Sequence, residues 1–206
     1  MLLLILFQDS VKASAMKINP LYVVALKDEV GPEFISKFDV LITGVGKVNA
    51  TYKLTKHLVE NKNKYNLIVN FGTAGSNYLP PGSFVDCTKF FEKDMDCIPL
   101  GFEKFQTPFE ENIKIEFSSD QPYNPINRNL TCFTGDKFVT EDLDYQGIFD
   151  MEAYALAKVC KNFQTPFISF KYISDGADSN SSDDWNENIS SGYKEFYEIV
   201  VKGILK

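Results

Sequence analysis

Four aspartates crowd into YISDGADSNSSDDW (172–185), at and beyond the end of the apolar run PFISFKYI (166–173). Such a stretch can be a cation loop, a solvated turn, or the place where one carboxyl group handles a proton. Asp178, Asn180 and Ser182 begin like an EF-hand. The pattern then fails, because Asp183 stands where the loop needs glycine and Ile189 where it needs glutamate. Ser179 to Asp184 reads as a solvated turn. Asp175 differs, because it follows the buried run directly. A carboxyl group withdrawn from water there can keep a proton near neutral pH and act as a general acid.

A second carboxylate pair lies in FDMEAYALAKVC (149–160), where Asp150 and Glu152 flank Met151 at the start of an Ala-rich stretch. Acidic residues there can simply complement a helix dipole. At the rim of a pocket, the same carboxylate can accept two hydrogen bonds from a sugar diol. Two glycine turns complete the set. TGVGKVNAT (43–51) lacks the spacing of a phosphate loop, and its GxGxxG register fails at Asn49. NFGTAGS (70–76) offers close backbone approach and the Thr73 hydroxyl.

The elements that must position these groups follow from periodicity. Residues 21–26, 39–45, 66–72, 82–90, 130–135 and 166–173 read as strands, rich in Val, Ile and Phe and apolar on both faces. Between them 47–62 reads as a helix with Val48, Tyr52, Thr55 and Val59 on one face. Residues 151–162 form a second helix. Residues 187–205 form a third, with Ile189, Tyr193, Phe196 and Val200 in register. Strand–helix alternation predicts one α/β domain with a parallel or mixed sheet, and 103–130 is its irregular excursion. Ligands of such sheets bind beyond the carboxyl ends of the strands. The residues expected there are Lys27-Asp28-Glu29, the glycine turns, Asp136-Lys137-Phe138 and Ser174-Asp175-Gly176.

Composition narrows the partners. The chain has 206 residues, 18 phenylalanines and a net charge of −7, which suits a well-buried fold and disfavours nucleic acid. No basic run suggests a membrane surface. Cys87, Cys97, Cys132 and Cys160 are too scattered for a zinc site and read as reduced thiols of an intracellular, cytoplasmic protein. His57, the single histidine, reads as a surface helix residue. Four Asn-x-Ser/Thr patterns, from Asn49, Asn129, Asn180 and Asn188, match what chance produces. The apolar run MLLLILF is too short for a spanning helix and poor as a signal peptide. Residues 1–20 read as an extension or extra strand before a domain spanning 21–206.

Taken in order, ALKDEV, GVGKVNAT, NFGTAGS, KDMD, TGDKFV, DMEAYA and SDGAD resemble the motif series of the nucleoside phosphorylase/nucleosidase superfamily. They look most like the 5′-methylthioadenosine/S-adenosylhomocysteine nucleosidases, from about Tyr22 to the C-terminus. The resemblance implies a central mixed sheet flanked by helices, and hydrolysis of the N-glycosidic bond of an adenine nucleoside. It implies that Asp175 protonates the base and that Glu29 activates water, with Asp28 as the alternative in a shifted register. Glu152 would hold the ribose hydroxyls beside Met151. Phe138 would stack on adenine, and the Val139 backbone would read its edge. Thr73 takes the place of a family serine near the sugar or the water, and Trp185 that of an aromatic over the ligand. No metal or organic cofactor is implied. A homodimer is, with FEKDMDCIPLGF (91–102) completing a neighbour's pocket.

The phosphorylases of this fold use arginines for phosphate. The chain has one, Arg128, at neither expected place, so water is favoured as nucleophile. A phosphorylase and a non-catalytic nucleoside-binding module remain the alternatives. The family commonly carries roughly thirty residues, with a hairpin, between the first-strand motif and GxGKxxA; here only GPEFISKFD and a strand intervene. The shorter segment is expected to reshape the end of the pocket that takes the 5′-substituent, and the N-terminal segment is a candidate to fill the gap.

Overall fold

The structure is a computed structural model, described over residues 17–118 and 123–205. The strands are β1 (Pro20–Val24), β2 (Val40–Ile42), β3 (Leu67–Ser76), β4 (Phe84–Glu92), β5 (Ile115–Glu116), β6 (Leu130–Thr134), β7 (Ile148–Asp150) and β8 (Phe167–Asp175). The helices are α1 (Gly31–Lys37), α2 (Lys47–Glu60), α3 (Ala153–Asn162) and α4 (Ser181–Asn188). The chain then runs through α5 (Tyr193–Glu195), a π-helical turn (Phe196–Val201) and a last α turn (Lys202–Ile204). The expected mixed sheet is present: β3 pairs parallel with β1 and β8 and antiparallel with β7, and β4 pairs parallel with β6 and antiparallel with β8. Because β6 also pairs with β7, the strands β3, β8, β4, β6 and β7 close into a ring, from which β1 and β2 extend.

Period-two alternation splits the core between the two faces of the sheet. Leu21, Val23, Ile68 and Ala74 pack with Leu54 and Leu58 of α2 and Leu156 of α3. Tyr22, Val24, Leu67, Val69 and Phe71 turn the other way, onto Phe34 of α1 and Phe196, Val200 and Val201. Much of the phenylalanine content lies on this second face, where Phe71 and Phe196 stack at 4.3 Å between ring centroids.

Four expectations are corrected. NFGTAGS lies inside β3 rather than beyond it, and Asp175 is the last residue of β8. The third helix is not continuous over 187–205. α4 ends at Asn188, and helix resumes at Tyr193, because Ser190-Ser191-Gly192 are weak helix formers. The same α4 replaces the solvated turn expected up to Asp184. The stripe Val48, Tyr52, Thr55 and Val59 faces away from the core: Val48, Tyr52 and Val59 are exposed, while Ala50, Leu54 and Leu58 meet the sheet. His57 is half-buried, with its ring stacked on Tyr65. The extra strand expected near the N-terminus falls mostly on residues outside those described, and Lys17 to Asn19 have no regular structure.

Candidate active site

One edge of β3 changes neighbour along its length. Its first part, Leu67 to Asn70, pairs with β1, and Gly75 and Ser76 pair with β7. Between them β1 and β7 diverge and the edge of β3 opens, which is the kind of switch point where sheets of this type bind ligands. Glu29 enters this gap from the 3₁₀ turn after β1. Its Oε2 accepts from the backbone N–H groups of Ala25 and Leu26, both at 2.9 Å, and its Oε1 accepts from the Thr73 N–H at 3.3 Å. Glu29 is buried and its neighbour Asp28 is exposed, so the register places Glu29, not Asp28, at the cavity. Burial raises the Glu29 carboxyl above its ordinary range, against the pull of these backbone donors and of Lys171. A raised value makes the carboxylate a stronger base near neutral pH.

Close packing explains the glycines. A Cβ on Gly72 would come within 2.8 Å of Glu29 Oε1 and 3.6 Å of Lys171 Nζ, and one on Gly75 within 2.5 Å of Asp175 Oδ1. Two glycines of NFGTAGS thus make room for two carboxylates.

Asp150 ends β7, and Glu152 stands immediately before α3. Asp150 accepts from Thr134 Oγ1 at 2.5 Å, the Ala153 N–H at 2.8 Å and the fully buried Lys171 ammonium at 2.7 Å. Lys171 was not anticipated. Its signal was present, as the one charged residue in FISFKYI, since a charge in a buried strand must be paired. Burial works against the ammonium, but Asp150 and the neighbouring anions outweigh it and keep Lys171 charged. Asp150 thereby stays below the usual carboxylate range despite its own burial.

Glu152 Oε1 accepts the Gly46 N–H at 2.9 Å, which ties the start of α2 to the site. Burial first, and then the Asp150 charge, pushes the Glu152 carboxyl up to about 8. The folded protein therefore holds a proton that the unfolded chain releases near its ordinary value of about 4. Stability from this group is full below that value and is lost as pH rises through about 8. Glu152→Gln, which cannot titrate, is expected to gain stability on the parent by on the order of 3 kcal/mol between pH 5 and pH 8. Denaturant midpoints of the two proteins across that range check this, and a constant difference would contradict it. Hydroxyls donating to Glu152 favour its charged form, so a bound diol would displace that proton.

On the opposite wall, Asp175 is buried. Its Oδ2 accepts from the Ser174 hydroxyl at 2.7 Å and its Oδ1 from the Ala177 N–H at 3.0 Å, which fixes the plane of the carboxyl group. Asp178 turns the loop into α4 by accepting from the Asn180 N–H at 2.8 Å. Trp185, on α4, reaches back to donate its indole N–H to Thr73 Oγ1 at 3.0 Å. Buried Val139 packs with Phe133, Phe149 and Ala177, and Phe138 beside it is partly exposed.

A cavity of about 360 Å³ joins these walls, and all eight anticipated residues line it: Glu29, Thr73, Phe138, Val139, Met151, Glu152, Asp175 and Trp185. Four acidic residues (Glu29, Asp150, Glu152 and Asp175) belong to this lining, the Asp150 carboxylate being engaged with Lys171, against one lysine, Lys137, which pairs with Glu141. Arg128 is exposed on a separate loop, whose backbone is held by buried Asp86. The cavity offers carboxylates at two walls, an aromatic surface and an indole cover, a combination suited to a neutral ligand with hydroxyls and a flat ring.

Comparison with known proteins agrees with this geometry. The Phosphorylase superfamily matches residues 39–205. A 5′-methylthioadenosine/S-adenosylhomocysteine nucleosidase of Haemophilus influenzae (strain PittEE) is 29% identical over 185 residues, 80% of each chain. The nucleosidase of the same name from an Exiguobacterium species is 30% identical, covering 72% of this chain and 71% of that one. Among solved structures, the nucleosidase of Colwellia psychrerythraea in complex with adenine superposes with a TM-score of 0.73 at 21% identity, covering 92% of this chain and 95% of that one. A Helicobacter pylori futalosine hydrolase mutant gives 0.77 at 16% identity, covering 91% and 99%, and so shares the fold. The chain belongs to the phosphorylase superfamily, on its 5′-methylthioadenosine/S-adenosylhomocysteine nucleosidase branch.

Proposed function

We propose that the protein hydrolyses the N-glycosidic bond of adenine nucleosides such as 5′-methylthioadenosine or S-adenosylhomocysteine, releasing adenine. The observation that carries this reading is the lack of an available cation: among the described residues lining the cavity the one cation is Lys137, which pairs with Glu141, and the buried Lys171 nearby is held by Asp150, so phosphate has no charged anchor and water is left as the nucleophile. In this reading the water oxygen bonds to C1′ and its proton passes to Glu29. The C1′–N9 pair leaves with adenine, which takes a proton at N7 from Asp175. Glu152 holds the ribose diol beside Met151, and Phe138 stacks on the base with the Val139 backbone at its edge. Incubation with 5′-methylthioadenosine, with and without phosphate, tests this. Adenine and free methylthioribose should form equally in both. A strict phosphate requirement would point to a phosphorylase, and binding without product to a nucleoside-binding module.

The same reading includes a homodimer. It is supported by Val48, Tyr52 and Val59, an exposed apolar stripe on α2, and by exposed Ile98 and Leu100 after β4. Lys47, which opens α2, pairs with Glu92 and Asp94, so the two surfaces adjoin near the site. Tyr52→Glu is expected to shift the protein toward monomer in sedimentation, and a parent that sediments as a monomer at micromolar concentration would refute the dimer. We place the enzyme in the cytoplasm, in methionine salvage, with its domain over 21–206. The four free cysteines support that compartment. Among the described residues no helix is long and apolar enough to cross a membrane.

A further inference from the structure

We infer that Trp185 is a positioning residue: its indole N–H fixes the Thr73 hydroxyl as a hydrogen-bond donor into the cavity, aimed at the oxygen of the attacking water. This deepens the nucleosidase reading and rests on it. The indole N–H can only donate. With Trp185 Nε1 at 3.0 Å, Thr73 Oγ1 must therefore accept there, and its own proton must point elsewhere. A lone hydroxyl would otherwise rotate between donor and acceptor roles. Thr73 is also the residue whose backbone N–H holds Glu29 Oε1, at 3.3 Å. One β-branched residue, stiff about χ1, thus presents an amide to the base and a polarised hydroxyl to the cavity that Glu29 also lines. A water between them would give a proton to Glu29 and accept one hydrogen bond from Thr73. Its second lone pair would then be free for C1′. Trp185 does this from α4, 112 residues away along the chain, so the placement of that helix beside the cavity sets the orientation of the hydroxyl.

Double-mutant kinetics and fluorescence test the proposal together. Trp185→Phe keeps an aromatic ring but loses the donor. It should lower kcat about tenfold, the scale of one hydrogen bond, with KM within about twofold. In a Thr73→Val background, which keeps the amide but lacks the hydroxyl, the same change should cost nothing more. In a Thr73→Ser background the Trp185 effect should return. Equal losses in the threonine and valine backgrounds would overturn the proposal and leave Trp185 with stacking alone. Trp185 is the chain's single tryptophan, so its emission reports the bond without turnover. Thr73→Val should shift that emission to shorter wavelength and Thr73→Ser should not, and a spectrum indifferent to valine would overturn the bond. Should the parent release no adenine at all, the nucleosidase reading fails, and the emission arm alone decides the bond.

Discussion

Asp175→Asn is expected to cut release of adenine from 5′-methylthioadenosine by about 10²-fold or more, the usual loss when a general acid is removed. The substitution is nearly isosteric. The Ala177 N–H can still donate to the amide oxygen, so the loop after β8 should keep its shape. What is lost is the dissociable proton. Adenine leaves poorly as an anion, and protonation at N7 is what makes it a leaving group. A riboside whose leaving group departs readily as an anion, such as a p-nitrophenyl riboside, whose C1′–O bond breaks to release p-nitrophenolate, should therefore be spared most of the loss. Steady-state rates on the two substrates check this. Near-parental turnover of 5′-methylthioadenosine, or equal damage to both substrates, would remove Asp175 from the acid role.

Glu29→Gln is expected to give the complementary pattern, a loss of about 10²- to 10⁴-fold on both substrates. Water must be deprotonated whatever group leaves, so a better leaving group cannot rescue this variant. Glutamine keeps one carbonyl oxygen for the Ala25 and Leu26 N–H groups. Its NH₂, however, would face the Thr73 N–H, donor against donor. Some loss of stability is therefore expected, and folding should be verified by thermal melting before rates are compared. A variant that hydrolyses the activated substrate at the parental rate would show that Glu29 is not the base.

The residues expected from the sequence line one cavity, and the reason is local. Most of these side chains lie near a strand end or helix start, and patterning locates such ends to within a few residues. The run before Asp175, the Ala-rich stretch after Glu152 and the glycines around Thr73 are continuous in sequence. Glu29 over Asp28 was less legible. Adjacent residues on a turn point in different directions, and only the backbone N–H groups of Ala25, Leu26 and Thr73 select one carboxylate.

What remained hidden depends on contacts between distant segments. Helix α2 carries apolar residues on two faces, and nothing in its own sequence says which one meets the sheet; Ala50, Leu54 and Leu58 are buried because α3 and the strands lie on that side. The lysine in FISFKYI announced a buried charge, yet its partner Asp150 arrives from 21 residues earlier, through the pairing of separate strands. The glycines of NFGTAGS were readable as close approaches, but to what was not; they make room for Glu29 and Asp175 across the edge where β3 changes neighbour. The chain's own order thus specifies which groups stand at the rim and what chemistry they can do. Their charge states and mutual orientation come from burial and strand register, since both depend on residues that the linear sequence keeps far apart.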